Sequence, residues 1–215
     1  MSTATALRML DLSRLQAAPL HLEPYEYLTV DDVLQPDCKP TIVDDFPVVD
    51  RAGSFPLSAL RPGLAVQQLV EELLSKEFEI AVGSKFSMDL SQYPTMVTLR
   101  GRCRAASDGH IHPDSKDKVI TVLLYLNPVW DSSGGRLRVL RSKNLDDFAA
   151  EVPPTMGNLL IFKRCDHSWH GHQPFEGKRM SLQMNWVKND RYMRREQLRH
   201  EISSFFKRLS GRNTV

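Results

Sequence analysis

The stretch Val119–Asn127 constrains this chain more than any other. Its residues are β-branched, aliphatic or aromatic until Asn127, and Asp117-Lys118 and Pro128 bound it. A run so short and so apolar predicts a strand buried on both faces, which needs further layers above and below it. The pattern stays β around it. Gly134-Gly135 opens a strand over 136–141, Gly157 opens another over 158–163, and 179–187 is the last. In that last strand Leu182, Met184 and Trp186 point one way, while Arg179, Ser181, Gln183 and Asn185 point the other. A polar face so late in a β-rich region lines either solvent or a polar cavity. Short strands separated by glycine turns belong in a sandwich, a jelly roll or a barrel.

The first half of the chain reads differently. Residues 1–63 carry seven of the 13 prolines, so short strands and turns are expected there, with a helix near 5–17. Val66, Leu69, Val70, Leu73 and Leu74 recur at helical spacing and predict an amphipathic helix over 64–81. A C-terminal helix is expected over 189–209, where Leu198, Ile202, Phe205, Phe206 and Leu209 form a stripe. That stripe is expected to dock on the core or on a second subunit, which would make a homodimer. The 215 residues suit a single domain. Within it, residues 1–90 would form an irregular and helical support, 91–188 the β core, and 189–215 the C-terminal helix.

Composition excludes more than it assigns. Lys plus Arg is 28 and Asp plus Glu is 26, so the net charge of +2 gives no overall field for binding nucleic acid. The longest apolar run is far too short to span a bilayer, and the first residues lack the apolar core of a signal peptide. Cys38, Cys103 and Cys165 are scattered and odd in number, which argues against a disulfide framework. A cytoplasmic protein with neither a nucleic-acid nor a membrane partner is expected.

Five of the seven histidines fall between His110 and His172. His110, His112 and Asp114 alternate, so in an extended chain they share one face. Some 56 residues on come His167, His170 and His172. If strands bring these segments together, two imidazoles and one carboxylate can occupy one side of a metal and leave the other positions open. That donor set suits Fe(II) binding oxygen and a co-substrate. By spacing alone the identity of the distal histidine stays open. Arg136 and Arg138 alternate with Leu137 and Val139, which makes them either a solvated face or the binding face for an anionic substrate.

These pieces, in this order, resemble the Fe(II)- and 2-oxoglutarate-dependent dioxygenases of the prolyl-hydroxylase-like branch. The matching residues are His112-Pro113-Asp114, Thr121–Asn127, Gly134–Leu137, Pro153-Pro154, Gly157 leading to Phe162, His170, and Gly177–Ser181. The match covers about residues 95–188. The family pattern places a proline four residues and an arginine nine residues after the distal histidine. Pro174 and Arg179 stand at those offsets from His170, and not from His167 or His172.

The resemblance implies a fold and a set of roles. The fold is mainly β with flanking helices, a double-stranded β-helix or jelly roll. His112, Asp114 and His170 hold Fe(II), and Arg179, Tyr125 and, less centrally, Thr121 hold 2-oxoglutarate. The implied reaction hydroxylates an unactivated C–H bond of a small-molecule, amino-acid, peptidyl or saccharide substrate, with oxygen as the second co-substrate and with release of succinate and carbon dioxide. Asp114 also argues against halogenation, since halogenating relatives lack this carboxylate. His110, His172, Arg136 and Asn185 are expected at the substrate or just behind the site. Asn185 stands where nucleic-acid dealkylases carry a second arginine. The competing reading is a non-catalytic metal-binding or ligand-sensing β-barrel, in which the histidines hold zinc or nickel. A cupin reading built on His110 and His112 lacks the glutamate that pattern needs.

Overall fold

The computed structural model describes residues 8–189. The expected C-terminal helix, apart from its first residue, lies outside the described residues. Short elements come first: α1 (Leu12–Ala17), β1 (Tyr27–Val30), a 3-10 turn at Pro36–Cys38, α2 (Lys39–Asp44) and β2 (Phe55–Pro56). Then follow a 3-10 turn at Leu57–Ala59, α3 (Leu64–Leu73) and α4 (Lys76–Lys85). The β region holds β3 (Thr95–Cys103), β4 (Lys118–Tyr125), β5 (Leu137–Leu140), β6 (Phe148–Val152), β7 (Leu159–Lys163), β8 (His170–Gly171) and β9 (Gly177–Val187).

The strands form two antiparallel sheets facing each other, the jelly roll that the sequence predicts. The larger has the order β1-β7-β4-β9-β3-β2 and the smaller β6-β5-β8. Alternation along the strands divides the interior. Ile120, Val122 and Leu124 of β4 join Leu182, Met184 and Trp186 of β9 and the apolar faces of α3 and α4 in the main core. Trp186 stacks on Phe78 of α4, ring centroids 6.3 Å apart. Each such buried aliphatic side chain contributes about 1.5–3 kcal/mol. The opposite faces look inward: Tyr125, Leu160 and Phe162 meet Leu137, Val139 and Val152 of the small sheet in a second cluster. The strand over 119–127 is therefore covered on both sides, by helices and by the second sheet.

Two helix expectations need correction. The helix expected over 64–81 is two helices, broken at Leu74-Ser75. The Ser75 hydroxyl donates to the Glu72 carbonyl at 2.6 Å and accepts from the Phe78 amide at 3.2 Å. One side chain thus closes α3 and caps α4, a competition with helix continuation that serine favours. The helix near 5–17 begins only at Leu12, where Asp11 caps it through the Ser13 amide, and Leu10 instead bridges Leu34.

Two of the short N-terminal strands extend the large sheet. β1 pairs with β7 along its whole length, and β2 pairs with β3. Among the described residues, no helix is long and apolar enough to cross a membrane.

Candidate active site

The small sheet brings the histidines together. Val139 of β5 opposes His170 of β8, and Val139 faces the interior, so His170 does too. On the other side of β8, His112 and His170 exchange both backbone hydrogen bonds at 3.1 Å. Residues directly opposed in such a pair share a face, and their rings lie 4.5 Å apart. Asp114, two residues beyond His112, continues that face, and its carbonyl is held by Arg164 Nε at 3.2 Å. One donor atom from each of His112, Asp114 and His170 lies within 4.8 Å of the others.

The surroundings set each group's chemical form. His112 Nδ1 lies 2.7 Å from the His110 carbonyl, and His170 Nδ1 lies 3.0 Å from the Ser168 carbonyl. A carbonyl can only accept, so each Nδ1 carries the proton and each Nε2 keeps its lone pair for a metal. Burial alone would raise the Asp114 carboxyl, but the Lys118 ammonium at 2.7 Å, with His170 and the Thr121 hydroxyl, holds it down to about 2. Asn185 Nδ2 donates to Thr121 Oγ1 at 2.8 Å, which aims that hydroxyl at Asp114. Two neutral imidazoles and an ionised carboxylate on one side of an open site fit a divalent metal such as Fe(II).

These three residues line a cavity of about 150 Å³ between the sheets, together with Tyr125, Arg179 and His172. Arg179, 5% exposed, donates through Nε to the Gly135 carbonyl at 2.9 Å, and its Nη2 lies 3.4 Å from the Tyr125 hydroxyl. Gly135 has φ +74°, and a Cβ there would strike the Trp130 ring, so the turn presenting this carbonyl needs glycine. Among the described residues no carboxylate forms an ion pair with Arg179. A buried guanidinium without a counter-charge is costly, and the site fits an anion such as a carboxylate of 2-oxoglutarate. Burial pushes the Tyr125 phenol up, which keeps it a donor.

The remaining sequence candidates divide by position. Thr121 lines the cavity, with its hydroxyl on Asp114 rather than beside Arg179. His172 also lines it; burial and the neighbouring Arg179 push its imidazole down to about 4. Its ring packs on Gly109, where φ is +87° and any Cβ would collide with it. Asn185 is buried behind Thr121. His110 is exposed and contributes only its carbonyl, to His112. Arg136 and Arg138 both pair with Glu151, opposite the inward-facing Leu137. Arg100, Asp108 and Lys118 line the cavity without having been anticipated. Lys118 lies at i+4 from Asp114, a readable spacing; Arg100, ion-paired with Asp108, gave no such signal.

Residues 99–188 match the family model of the 2OG-Fe(II) oxygenase superfamily. The segment that carries the His-Asp-His cluster and Arg179 is thus similar to the 2OG-Fe(II) oxygenases. The His-Asp-His cluster and the matched segment fit Fe(II) and 2-oxoglutarate as metal and co-substrate. The chain finds no match among curated protein sequences. Its fold is similar to that of a Pseudomonas putida prolyl-4-hydroxylase at 17% identity, covering 83% of this chain and 97% of that one, with a TM-score of 0.55. A viral collagen prolyl hydroxylase from Paramecium Bursaria Chlorella virus-1 gives a TM-score of 0.51 at 16% identity, over 75% of this chain and 90% of that one. HygX from Streptomyces hygroscopicus, solved with nickel and 2-oxoglutarate bound, gives 0.50 at 14% identity, over 76% and 83%.

The two buried imidazoles give the metal-free protein a defined acid response. Burial, first of all, lowers His170 and His172 from 6.5 to about 4. Between those values the unfolded chain binds protons that the folded one refuses, so stability is full above pH 6.5 and falls toward pH 4. One pKa unit is worth about 1.4 kcal/mol, so each histidine contributes on the order of 3 kcal/mol at most. Urea unfolding of chelator-treated protein at pH 7, 5.5 and 4.5 should show this decline, and a flat profile would mean that neither ring is buried neutral.

Proposed function

We propose that the protein is a 2OG-Fe(II) oxygenase that hydroxylates an unactivated C–H bond of a small-molecule, amino-acid, peptidyl or saccharide substrate, converting 2-oxoglutarate to succinate and carbon dioxide. In this reading His112 and His170, through Nε2, and the Asp114 carboxylate hold the iron. Arg179 and Tyr125 hold the co-substrate. When bound, the iron and 2-oxoglutarate together supply the oxidising power that activates oxygen.

The observation that carries this reading is Arg179. A protein that merely stores a metal has no use for a buried guanidinium, without an ion pair among the described residues, in the same cavity as the His-Asp-His cluster. Its planar fork can take a carboxylate through two parallel bonds, with the Tyr125 hydroxyl beside it. Thr121, positioned by Asn185, and Lys118 keep Asp114 ionised and correctly turned. His172, neutral on the cavity wall, is the candidate for contact with the bound molecules; Arg136, occupied by Glu151, is not. Asn185, bonded to Thr121, leaves no second arginine for a nucleic-acid target. The target is expected to present its C–H bond from the side where His112 is exposed.

The test is spectroscopic. Under anaerobic conditions, Fe(II) followed by 2-oxoglutarate should produce the visible charge-transfer band of the chelate. Wild-type protein that loads Fe(II) and shows no band would rule the reading out. Screening metabolites and peptides for stimulated succinate release then identifies the target class.

A further inference from the structure

Tyr25 belongs to the N-terminal segment, 144 residues before Trp169, the residue that leads into His170, yet its hydroxyl lies 3.0 Å from the Trp169 carbonyl. That carbonyl belongs to the peptide bond that ends in the His170 nitrogen. It accepts a second hydrogen bond, from the Leu140 amide at 2.9 Å, so β5 and the N-terminal segment pin the same oxygen. A second line of contact runs through rings. Tyr25 meets Phe162 edge-on at 6.0 Å, and Phe162 lies against the His170 imidazole at 4.8 Å. The next residue adds a further tie, since the Glu26 carboxylate pairs with Lys163 at 2.7 Å.

We infer that Tyr25 is a positioning residue for the metal: it fixes the backbone and ring of His170 without touching the metal itself. The hydroxyl acts on the Trp169 peptide and the ring acts through Phe162. Only 4% of Tyr25 is exposed, and burial pushes its phenol up, so the hydroxyl stays a donor wherever the protein is folded. Groups that orient metal-ligating imidazoles typically change metal affinity 10–100-fold when removed. Tyr25 acts one bond further out, which places its effect at roughly tenfold, the low end of that range. The inference rests on the assignment of His170 as a ligand.

The experiment measures Co(II) affinity of the chelator-treated full-length protein from visible absorption, without turnover. Tyr25→Phe should bind Co(II) about tenfold more weakly, through faster release, with a thermal midpoint within a few degrees of wild type. Tyr27→Phe is the control: Tyr27 is equally buried and contacts Tyr25, but among the described residues its hydroxyl makes no hydrogen bond to Trp169, and it should bind Co(II) as wild type does. Phe162→Leu is the second variant. It keeps the hydroxyl, removes the ring contact and should weaken Co(II) as well, which keeps the inference testable if Tyr25→Phe misfolds. Wild-type affinity in a folded Tyr25→Phe protein, or in Phe162→Leu where Tyr25→Phe misfolds, overturns it. Equal losses in Tyr25→Phe and Tyr27→Phe also overturn it, because they would show a general loosening of the aromatic cluster. Failure of the wild type to bind Co(II) would instead sink the His-Asp-His assignment, and this inference with it.

Discussion

Arg179→Ala will bind 2-oxoglutarate at least 30-fold more weakly than wild type, and its metal affinity will hold. The expectation follows from what surrounds the guanidinium. Removing one partner of a buried, hydrogen-bonded charge pair costs about 2–5 kcal/mol, and each 1.4 kcal/mol is a factor of ten in affinity. Among the described residues the same side chain has no ionic partner, and its hydrogen bonds go to the Gly135 carbonyl and the Tyr125 hydroxyl. Its removal should therefore leave the thermal midpoint unchanged or slightly raised, which separates a binding defect from unfolding. Arg179→Lys keeps the charge without the fork and should fall between the two. Titrating 2-oxoglutarate into anaerobic Fe(II)-loaded protein and following the chelate band measures all three. An Arg179→Ala titration that overlays wild type would remove Arg179 from the co-substrate site.

Asp114→Ala should be more severe. The substitution deletes the one anionic ligand of the proposed triad, so metal affinity should drop by more than the roughly 100-fold seen when outer groups are lost, and succinate formation should vanish. It should also weaken the metal-free fold. Lys118 is 11% exposed and pairs with Asp114, so breaking the pair leaves a buried ammonium, at about 3 kcal/mol or more. The double substitution Asp114→Ala with Lys118→Met removes both charges. It should recover most of the lost stability and none of the metal binding. Urea unfolding and Co(II) titration on the single and double variants test both halves, and succinate production surviving in Asp114→Ala would overturn the ligand assignment.

What could be read from the sequence were features that local periodicity encodes. Alternation along residues 179–187 predicts both the core face, Leu182, Met184 and Trp186, and the face that carries Arg179, Ser181 and Gln183 into the cavity. The unbroken apolar run at 119–127 likewise marks a central strand. Features that depend on a single competing hydrogen bond were not readable, as at Ser75, where apolar spacing runs on past a serine that ends one helix and starts the next. Strand β6, with Ala149, Ala150 and Glu151, carries residues that favour helices and is extended only because β5 pairs with it. The ion pairs that turn Arg136 away from the cavity, and the link from Tyr25 to Trp169, join positions that only the closed fold makes neighbours.

The strand order has a consequence for how the chain is made. β9, the last strand among the described residues, sits between β3 and β4, so until it arrives β2-β3 and β1-β7-β4 are separate fragments with bare edges. Arg179 arrives on that same strand. Synthesis therefore delivers the middle of the sheet last, and a nascent chain stalled before residue 187 holds unpaired apolar strands that chaperones must cover.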